Sequence, residues 1–242
     1  EYSDRKGDFS YNFGLNLSGY KNELTELHSV AYLGIPSSSL HNVNFDQEVS
    51  RSTVGEPIAS FFGYKADGLF RSQQEVDAYG LQPNAQPGDI RFRDINNDGV
   101  INDEDRTYIG SPHPDLVLGL NVKLNYKNFD LGMFFNGSFG NDIYNLTKYK
   151  TQFFNQSAYN KDSSLLGAWT PENPNSDIAR LSLDDANNNI RPSSYYVENG
   201  SYLKLNNLQL GFTLPEYVLS VANLRLYVQA SNVFTITDYS GM

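Results

Sequence analysis

Twelve consecutive residues, Asp94-Ile95-Asn96-Asn97-Asp98-Gly99-Val100-Ile101-Asn102-Asp103-Glu104-Asp105, bring together oxygen donors of the kind a hard cation needs. They fit a calcium loop: acidic or amide side chains at positions 1, 3 and 5, glycine at 6, a β-branched residue at 8 and a carboxylate at 12. Calcium takes six to eight oxygens. Asp94, Asn96 and Asp98 can converge because Gly99 permits the sharp turn, Val100 offers its backbone carbonyl, Asn102 acts directly or through water, and Asp105 closes the shell. Aspartate at the last position is shorter than the usual glutamate, which predicts a weak, structural Ca2+ site of about 10⁻⁴–10⁻³ M, as in extracellular modules. The competing reading is a solvated turn rich in Asn and Asp.

No catalytic residues are assigned. His28, His41 and His113 have no zinc-protease spacing, and there is no nucleophile elbow, dinucleotide fingerprint or phosphate loop. With no cysteine, thiol catalysis, disulfides and zinc–thiolate sites are excluded. The pair Asp184-Asp185 lies in a polar stretch, 184–189, that reads as a mobile, solvated loop. Trp169 and the tyrosines Tyr144, Tyr149, Tyr159, Tyr195 and Tyr196 could stack on sugar rings, or serve as packing anchors. The chain is not read as an enzyme.

The elements that would carry these residues are mostly strands. Leu116 to Phe139 reads as one long hairpin. Leu116, Leu118, Leu120, Val122, Leu124 and Tyr126 share a face at period two, and Gly119, Asn121, Lys123 and Asn125 share the other. A two-residue loop at Lys127-Asn128 sets Tyr126 opposite Phe129, Leu124 opposite Leu131, Val122 opposite Met133 and Leu120 opposite Phe135. A one-residue slip would break this apolar pairing. Arms of about eleven residues suit a tilted bilayer crossing, and Tyr126 and Phe129 sit where an aromatic girdle would lie.

Phe9 to Leu17 alternates in the same way. Leu27 to Ile35 and Val43 to Val49 are poorer strand candidates. Tyr202 to Leu214 changes phase at Asn206-Asn207, which predicts a β-bulge, and Pro215 ends that strand. Leu224 to Ala230 begins a last one that runs towards Phe234. Between them, Ser72 with Glu75 three residues on predicts a short helix over 72–78. Asn141 to Phe154 is expected to form another, with Ile143, Leu146, Tyr149 and Phe153 on one face.

Composition agrees with an all-β chain. Its 242 residues hold 17 Tyr and 15 Phe, and only 19% are charged. The formal charge of −10 argues against nucleic acid. No apolar run is long enough for a transmembrane helix, and no signal peptide is visible. The chain enters a strand pattern almost at once, as though it began inside something larger.

Two classes remain. One is an antiparallel transmembrane β-barrel segment, with a short periplasmic turn at 127–128, another periplasmic connection at 215–223, and long extracellular loops at 59–115 and 140–200. The other is a soluble, calcium-stabilised β-sandwich acting as a surface binding module.

Several motifs decide between them. Gly55-Glu56-Pro57-Ile58, Phe62-Gly63-Tyr64-Lys65-Ala66-Asp67-Gly68-Leu69-Phe70 and Pro87-Gly88-Asp89-Ile90 lead into the 94–105 loop and on to Arg106 and Gly110. Asn125 to Leu131, Gly200 to Leu205, Leu210 to Pro215, Leu226 to Val228 and Asn232 to Thr235 follow. In this order they resemble the SusC/RagA family of TonB-dependent outer-membrane transporters of Bacteroidetes, over most of the chain from Gly55 onward.

The resemblance implies that residues 1–242 are the C-terminal part of a large barrel of the class with roughly 22 strands and a plugged lumen. It also implies import of glycans, peptides or other nutrients across the outer membrane. The expected partners are a SusD-like surface lipoprotein, TonB acting through a plug that this sequence lacks, the lipid bilayer and the substrate. Family members continue beyond Tyr239-Ser240-Gly241, so the chain is expected to be a fragment or a truncated product. An unclosed sheet could not seal in lipid alone.

Overall fold

The computed structural model describes residues 1–36, 48–153, 160–215 and 222–241. In chain order its elements are β1 Tyr2–Lys6, β2 Phe9–Ser18, β3 Tyr32–Pro36, β4 Glu48–Thr53, β5 Ser60–Tyr64, β6 Ala66–Leu69 and helix α1 Gln73–Tyr79. There follow β7 Ile90–Phe92, β8 Arg106–Gly110, β9 Leu116–Tyr126, β10 Phe129–Phe139, β11 Asp142–Tyr144 and helix α2 Leu146–Gln152. The last three are β12 Val197–Asn199, β13 Tyr202–Thr213 and β14 Arg225–Thr237. No described helix is long and apolar enough to cross a membrane.

The chain divides into two compact units. The first comprises Glu1–Lys21, His113–Asn141 and Asn199–Tyr239. It is a six-stranded antiparallel sheet in the order β1-β2-β9-β10-β13-β14. The central hairpin has the register its sequence predicts, with Tyr126 opposite Phe129, Leu124 opposite Leu131 and Leu120 opposite Phe135. Lys127 takes a left-handed φ of 50° in the two-residue turn, as such tight hairpin loops require.

The predicted bulge is present. Phe134 pairs with Asn207 but Phe135 pairs with Leu205, so Asn206 is the extra residue. Its neighbour strand answers with an irregularity of its own: Asn207 pairs with Ser231 and Leu205 with Phe234, and Asn232 has φ 54°. Leu203 and Leu205 therefore stay on the same face as Leu208, Leu210 and Phe212 across the shift.

The second unit comprises Asn22–Pro112, Asp142–Glu198 and Ser240–Met242, Met242 lying outside the described residues. It contains the sheet β3-β4-β5-β8 and the two-stranded sheets β6-β7 and β11-β12. Its core gathers Val49, Tyr64, Leu69, Ile90, Phe92, Tyr149, Phe153 and Tyr196. A smaller cluster sets Val76 of α1 against Phe70 and Ala85. The first helix starts as predicted: Ser72 Oγ accepts from Glu75 N–H at 3.3 Å, and Gly80 closes it at φ 65°. The Glu75 carboxylate accepts from Arg71 N–H at 2.8 Å, one residue earlier than a capping box would have it.

Four expectations need correction. The helix expected over 141–154 is shorter, because Ile143 belongs to β11 and Asn145 caps α2 by accepting from Lys148 N–H at 2.9 Å. An Asn at that point stops the strand and starts the helix. The strand expected at 43–49 lies at 48–53 among the described residues, positions 43–47 being outside them. The candidate at 27–35 reduces to β3.

The largest correction concerns 184–189, which is no solvated loop. Asp185, Asn187 and Asn189 are buried. Asp185 accepts from the N–H groups of Asn189 and Ile190, at 2.8 and 3.1 Å. Asn187 Nδ2 donates to Ile90 O, and Asn189 Oδ1 accepts from Ile90 N–H. These amides finish the hydrogen bonds of β7 from one side, where another strand would otherwise pair. Amide side chains give the same composition in a solvated loop and in such a network.

Candidate functional site

The six-stranded sheet has two chemically different faces. On one, a single rung sets Phe9 beside Tyr126, Phe129 and Phe212, four aromatics on four neighbouring strands next to the tight turn. The Phe129 and Phe212 rings pack at 4.7 Å between centroids. Leu226 extends that rung beside Phe212, and beyond the belt the same face carries Leu15, Leu17, Leu210, Val228, Phe234 and Ile236, all exposed. Val122 and Leu205 are buried on this face, hemmed in by larger neighbours across the strands. An exposed apolar surface of this extent is not found on ordinary soluble monomers and marks a contact with lipid or protein.

The opposite face is polar. One rung carries Asn12, Lys123, Gly132, Gln209 and Gln229. Arg225 makes a two-pronged bond to Asp130, with Nε to Oδ1 at 2.9 Å and an Nη to Oδ2 at 2.5 Å. A cleft of about 430 Å³ runs here between Asn121, Lys123, Asn125, Asp130, Asn207 and Gln209. Gly132 leaves it open, since a Cβ at that position would meet nothing within 4 Å.

In the second unit the 94–105 loop is closed by its own donors. Asp94 accepts from Asn97 N–H at 2.7 Å and Gly99 N–H at 2.9 Å. Asn96 Oδ1 accepts from Asp98 N–H at 3.0 Å, and Asp98 Oδ1 from Val100 N–H at 2.9 Å. Asp98 Oδ2 faces the side-chain amides of Asn96 and Asn102, at 2.9 and 3.4 Å. The Asn96 amide, with the Val100 N–H, holds the Asp98 carboxyl below its ordinary pKa. Gly99 turns at φ 85°, the conformation for which the motif reserves glycine.

Asp105 is fully buried, and its two oxygens accept from Ile95 and Asn102 N–H at 2.8 Å each. It anchors both ends of the loop. The structure thus brings Asp94, Asn96, Asp98 and Asn102 into one small turn, with Asp105 beneath it and Val100 on the exposed side. Among the described residues no three acidic or histidine side chains converge as a metal cluster. The donor set is nevertheless all hard oxygen, and carboxylates that accept N–H bonds keep further lone pairs, a composition suited to Ca2+ and not to a soft metal.

The loop aromatics are packing anchors. Tyr149 and Tyr196 are almost wholly buried, and Tyr144, Phe153 and Tyr195 stack around Tyr196 at 5.3–6.0 Å between centroids. Burial pushes the Tyr195 hydroxyl up to about 12. Trp169 packs against the same core, and Tyr159 lies outside the described residues.

Sequence reasoning missed a buried ionic cluster. Asp89 is fully buried and takes Arg180 Nε at 2.6 Å and Asn189 Nδ2 at 3.0 Å. Nothing local signals it, because its members are about ninety to a hundred residues apart in sequence.

An antiparallel sheet with one apolar and one polar face is the pattern of strands in the wall of a β-barrel. No family model matches the chain. Its fold matches the solved structure of the RagAB peptide transporter with a TM-score of 0.75 at 22% identity, over 99% of this chain and 25% of that one. The closed-closed state of the RagAB peptide importer matches at 0.69, with 21% identity.

Over 238 residues, 97% of its length, the chain is 34% identical to TonB-dependent receptor P26 of Formosa agariphila, and it covers 23% of that protein. TonB-dependent receptor P3 of the same organism is 35% identical over the same length. TonB-dependent receptor SusC of Bacteroides thetaiotaomicron is 26% identical over 239 residues, 22% of its length. Along nearly its whole length the chain is related to TonB-dependent receptors, SusC among them. It spans about a quarter of the length of the curated relatives it matches.

Proposed function

We propose that this chain supplies part of the barrel wall and outer loops of an outer-membrane importer that takes up nutrients in a TonB-dependent manner. The observation that carries the proposal is the exposed apolar face of the six-stranded sheet, with its aromatic belt beside the tight turn. A β-sandwich would cover such a face with a second sheet, yet Leu15, Leu17, Val228 and Ile236 are each more than half exposed. At about 3.3 Å per residue and a tilt near 45°, an eleven-residue strand rises roughly 25 Å, the height of the apolar band of outer-membrane barrels.

On this reading residues 1–242 are barrel, the Lys127-Asn128 turn is periplasmic, and the segments 59–115 and 140–200 form extracellular loops. A SusD-like lipoprotein, implied by the SusC and RagAB relationship, would cover those loops. The imported nutrient is an oligosaccharide or a short peptide. The test compares cells with and without the encoding gene for uptake of labelled oligosaccharides and labelled peptides, with and without a functional TonB. Uptake of one class that needs both is the expected result. Equal uptake by all strains would refute import.

The proposal includes a structural Ca2+ in the 94–105 loop, held by Asp94, Asn96, Asp98, the Val100 carbonyl, Asn102 and Asp105. The ion would neutralise a stretch that holds five acidic side chains within twelve residues. Calorimetric titration with calcium should give heat that the Asp98→Ala variant lacks. No heat in either protein would remove the ion.

A further inference from the structure

Gly132 stands inside β10, an eleven-residue strand, where a glycine forgoes side-chain packing and costs backbone entropy. Neither conformation nor crowding requires it. Its φ lies outside the left-handed region, and a Cβ there would meet nothing within 4 Å. The other glycines within the six strands differ: a Cβ on Gly14 or Gly119 would touch a neighbour at 3.6 or 3.9 Å, and one on Gly137 or Gly211 would be blocked. The bulge opposite β10 falls further along, between Phe134 and Phe135, so Gly132 does not mark that either. A strand glycine with open space above it marks a place where a ligand comes close to the backbone.

The groups around that space are of a particular kind. Gly132 pairs with Lys123 on one side and Gln209 on the other, and Phe134 follows it on the same face between Asn121 and Asn207. Together they line the cleft of about 430 Å³ on the polar face, a volume within the range of small-ligand sites. Phe134 is half-buried and is the one aromatic ring in the lining. The side chains of Asn121, Lys123, Asn207 and Gln209 bond to no other protein group among the described residues. Asp130 is neutralised by Arg225. The Lys123 ammonium is therefore the one uncompensated charge in the lining.

Each of these groups asks for a different part of one ligand. An aromatic face takes the C–H face of a sugar ring. Amides both donate and accept, as sugar hydroxyls do. An ammonium takes a carboxylate or sulfate. Lys123 and Phe134 are diagonal neighbours across the strands, roughly 7–8 Å apart at the backbone, a span that one charged sugar ring bridges over Gly132. An acidic peptide offers the charge without a rigid apolar face ringed by hydroxyls.

We propose that this cleft binds a negatively charged sugar residue, its ring on Phe134, its acid group on Lys123 and its hydroxyls on Asn121, Asn207 and Gln209. As a subsite on the lumen wall of an importer the proposal rests on the function given above. Equilibrium binding tests it separately, because binding needs neither TonB nor transport.

The experiment is calorimetric titration of the intact transporter that carries this sheet, purified in detergent, at about pH 7, where uronates are ionised and lysine is protonated. The probes are trigalacturonate, its methyl ester, which keeps the rings and loses the charge, and triglutamate. Trigalacturonate should bind, and the ester and the peptide should bind at least about tenfold more weakly. Lys123→Gln should weaken the acid by about tenfold and leave the ester unchanged, whereas Lys127→Gln, in the hairpin turn outside the cleft, should change neither.

Gly132→Thr separates a ligand site from a structural glycine. Threonine suits a strand and has room there, so thermal unfolding should be unchanged while trigalacturonate binding is lost. The proposal is overturned if trigalacturonate does not bind, if the ester or triglutamate binds as tightly, if Lys123→Gln binds as the parent does, or if Gly132→Thr either binds or loses the sheet. Binding without TonB-dependent uptake in cells would sink the import reading and leave the cleft assignment intact. Uptake without binding would do the reverse.

Discussion

Leu15 offers a direct measurement of what surrounds the sheet. It lies six residues from Phe9, the β2 member of the aromatic rung, and pairs with Leu120. Six residues at about 3.3 Å, tilted near 45°, place it roughly 14 Å beyond the belt, close to the middle of an apolar band about 25 Å tall. An arginine there should cost ~2–4 kcal/mol in a bilayer, a shift of roughly 30- to 900-fold in the folding equilibrium. In water the same substitution should be nearly silent, within about 0.5 kcal/mol, because Leu15 is 53% exposed. Asn16, its neighbour on the polar face, supplies the control and should tolerate arginine. The assay is urea unfolding in lipid vesicles of a complete barrel carrying this sheet, compared with its Leu15→Arg and Asn16→Arg variants. A cost below about 0.5 kcal/mol for Leu15→Arg, or a larger cost at Asn16, would refute the assignment of the faces.

Other outcomes follow from the second unit. If calcium occupies the 94–105 loop, millimolar calcium should raise the melting temperature of the parent but not of Asp98→Ala, as thermal unfolding with and without chelator would show. Replacing Arg180 by Leu removes the cationic partner of the fully buried Asp89 carboxylate, leaving it the Asn189 amide and the Gln86 N–H, and should cost about 3 kcal/mol, read from urea unfolding. Tyr64 and Tyr195 hydroxyls are pushed up to about 12, each chiefly by burial. Between pH 10 and 12 the unfolded chain loses these protons while the folded chain keeps them, so stability should fall as pH rises through that window. Absorbance at the tyrosinate band should show them ionising together with unfolding. A smooth titration at 10 would contradict their burial.

Much of the sheet was legible in the sequence, because period-two alternation and a two-residue turn are local. They set the hairpin register from Leu116 to Phe139 and the phase change at Asn206 without knowledge of anything distant. The 94–105 loop was legible for the same reason, since its turn is built from side chains bonding to backbone two to five residues away. Its ends were not: Asp105 is buried and bonds Ile95 N–H ten residues back, a role indistinguishable in sequence from that of a metal ligand.

The second unit hid its logic more fully. Asp185, Asn187 and Asn189 have the composition of a solvated loop, and Tyr149 and Tyr196 that of a carbohydrate platform. Folding puts both sets inside. A polar or aromatic side chain reads the same in sequence whether water or a backbone group satisfies it, so only the position of the other segments could decide. The same holds for Asp89 with Arg180, which come from segments far apart in the chain. Alternation along each strand thus determined which side chains share a face. Which polar groups are buried, and what they bond there, depended on contacts that no short stretch encodes.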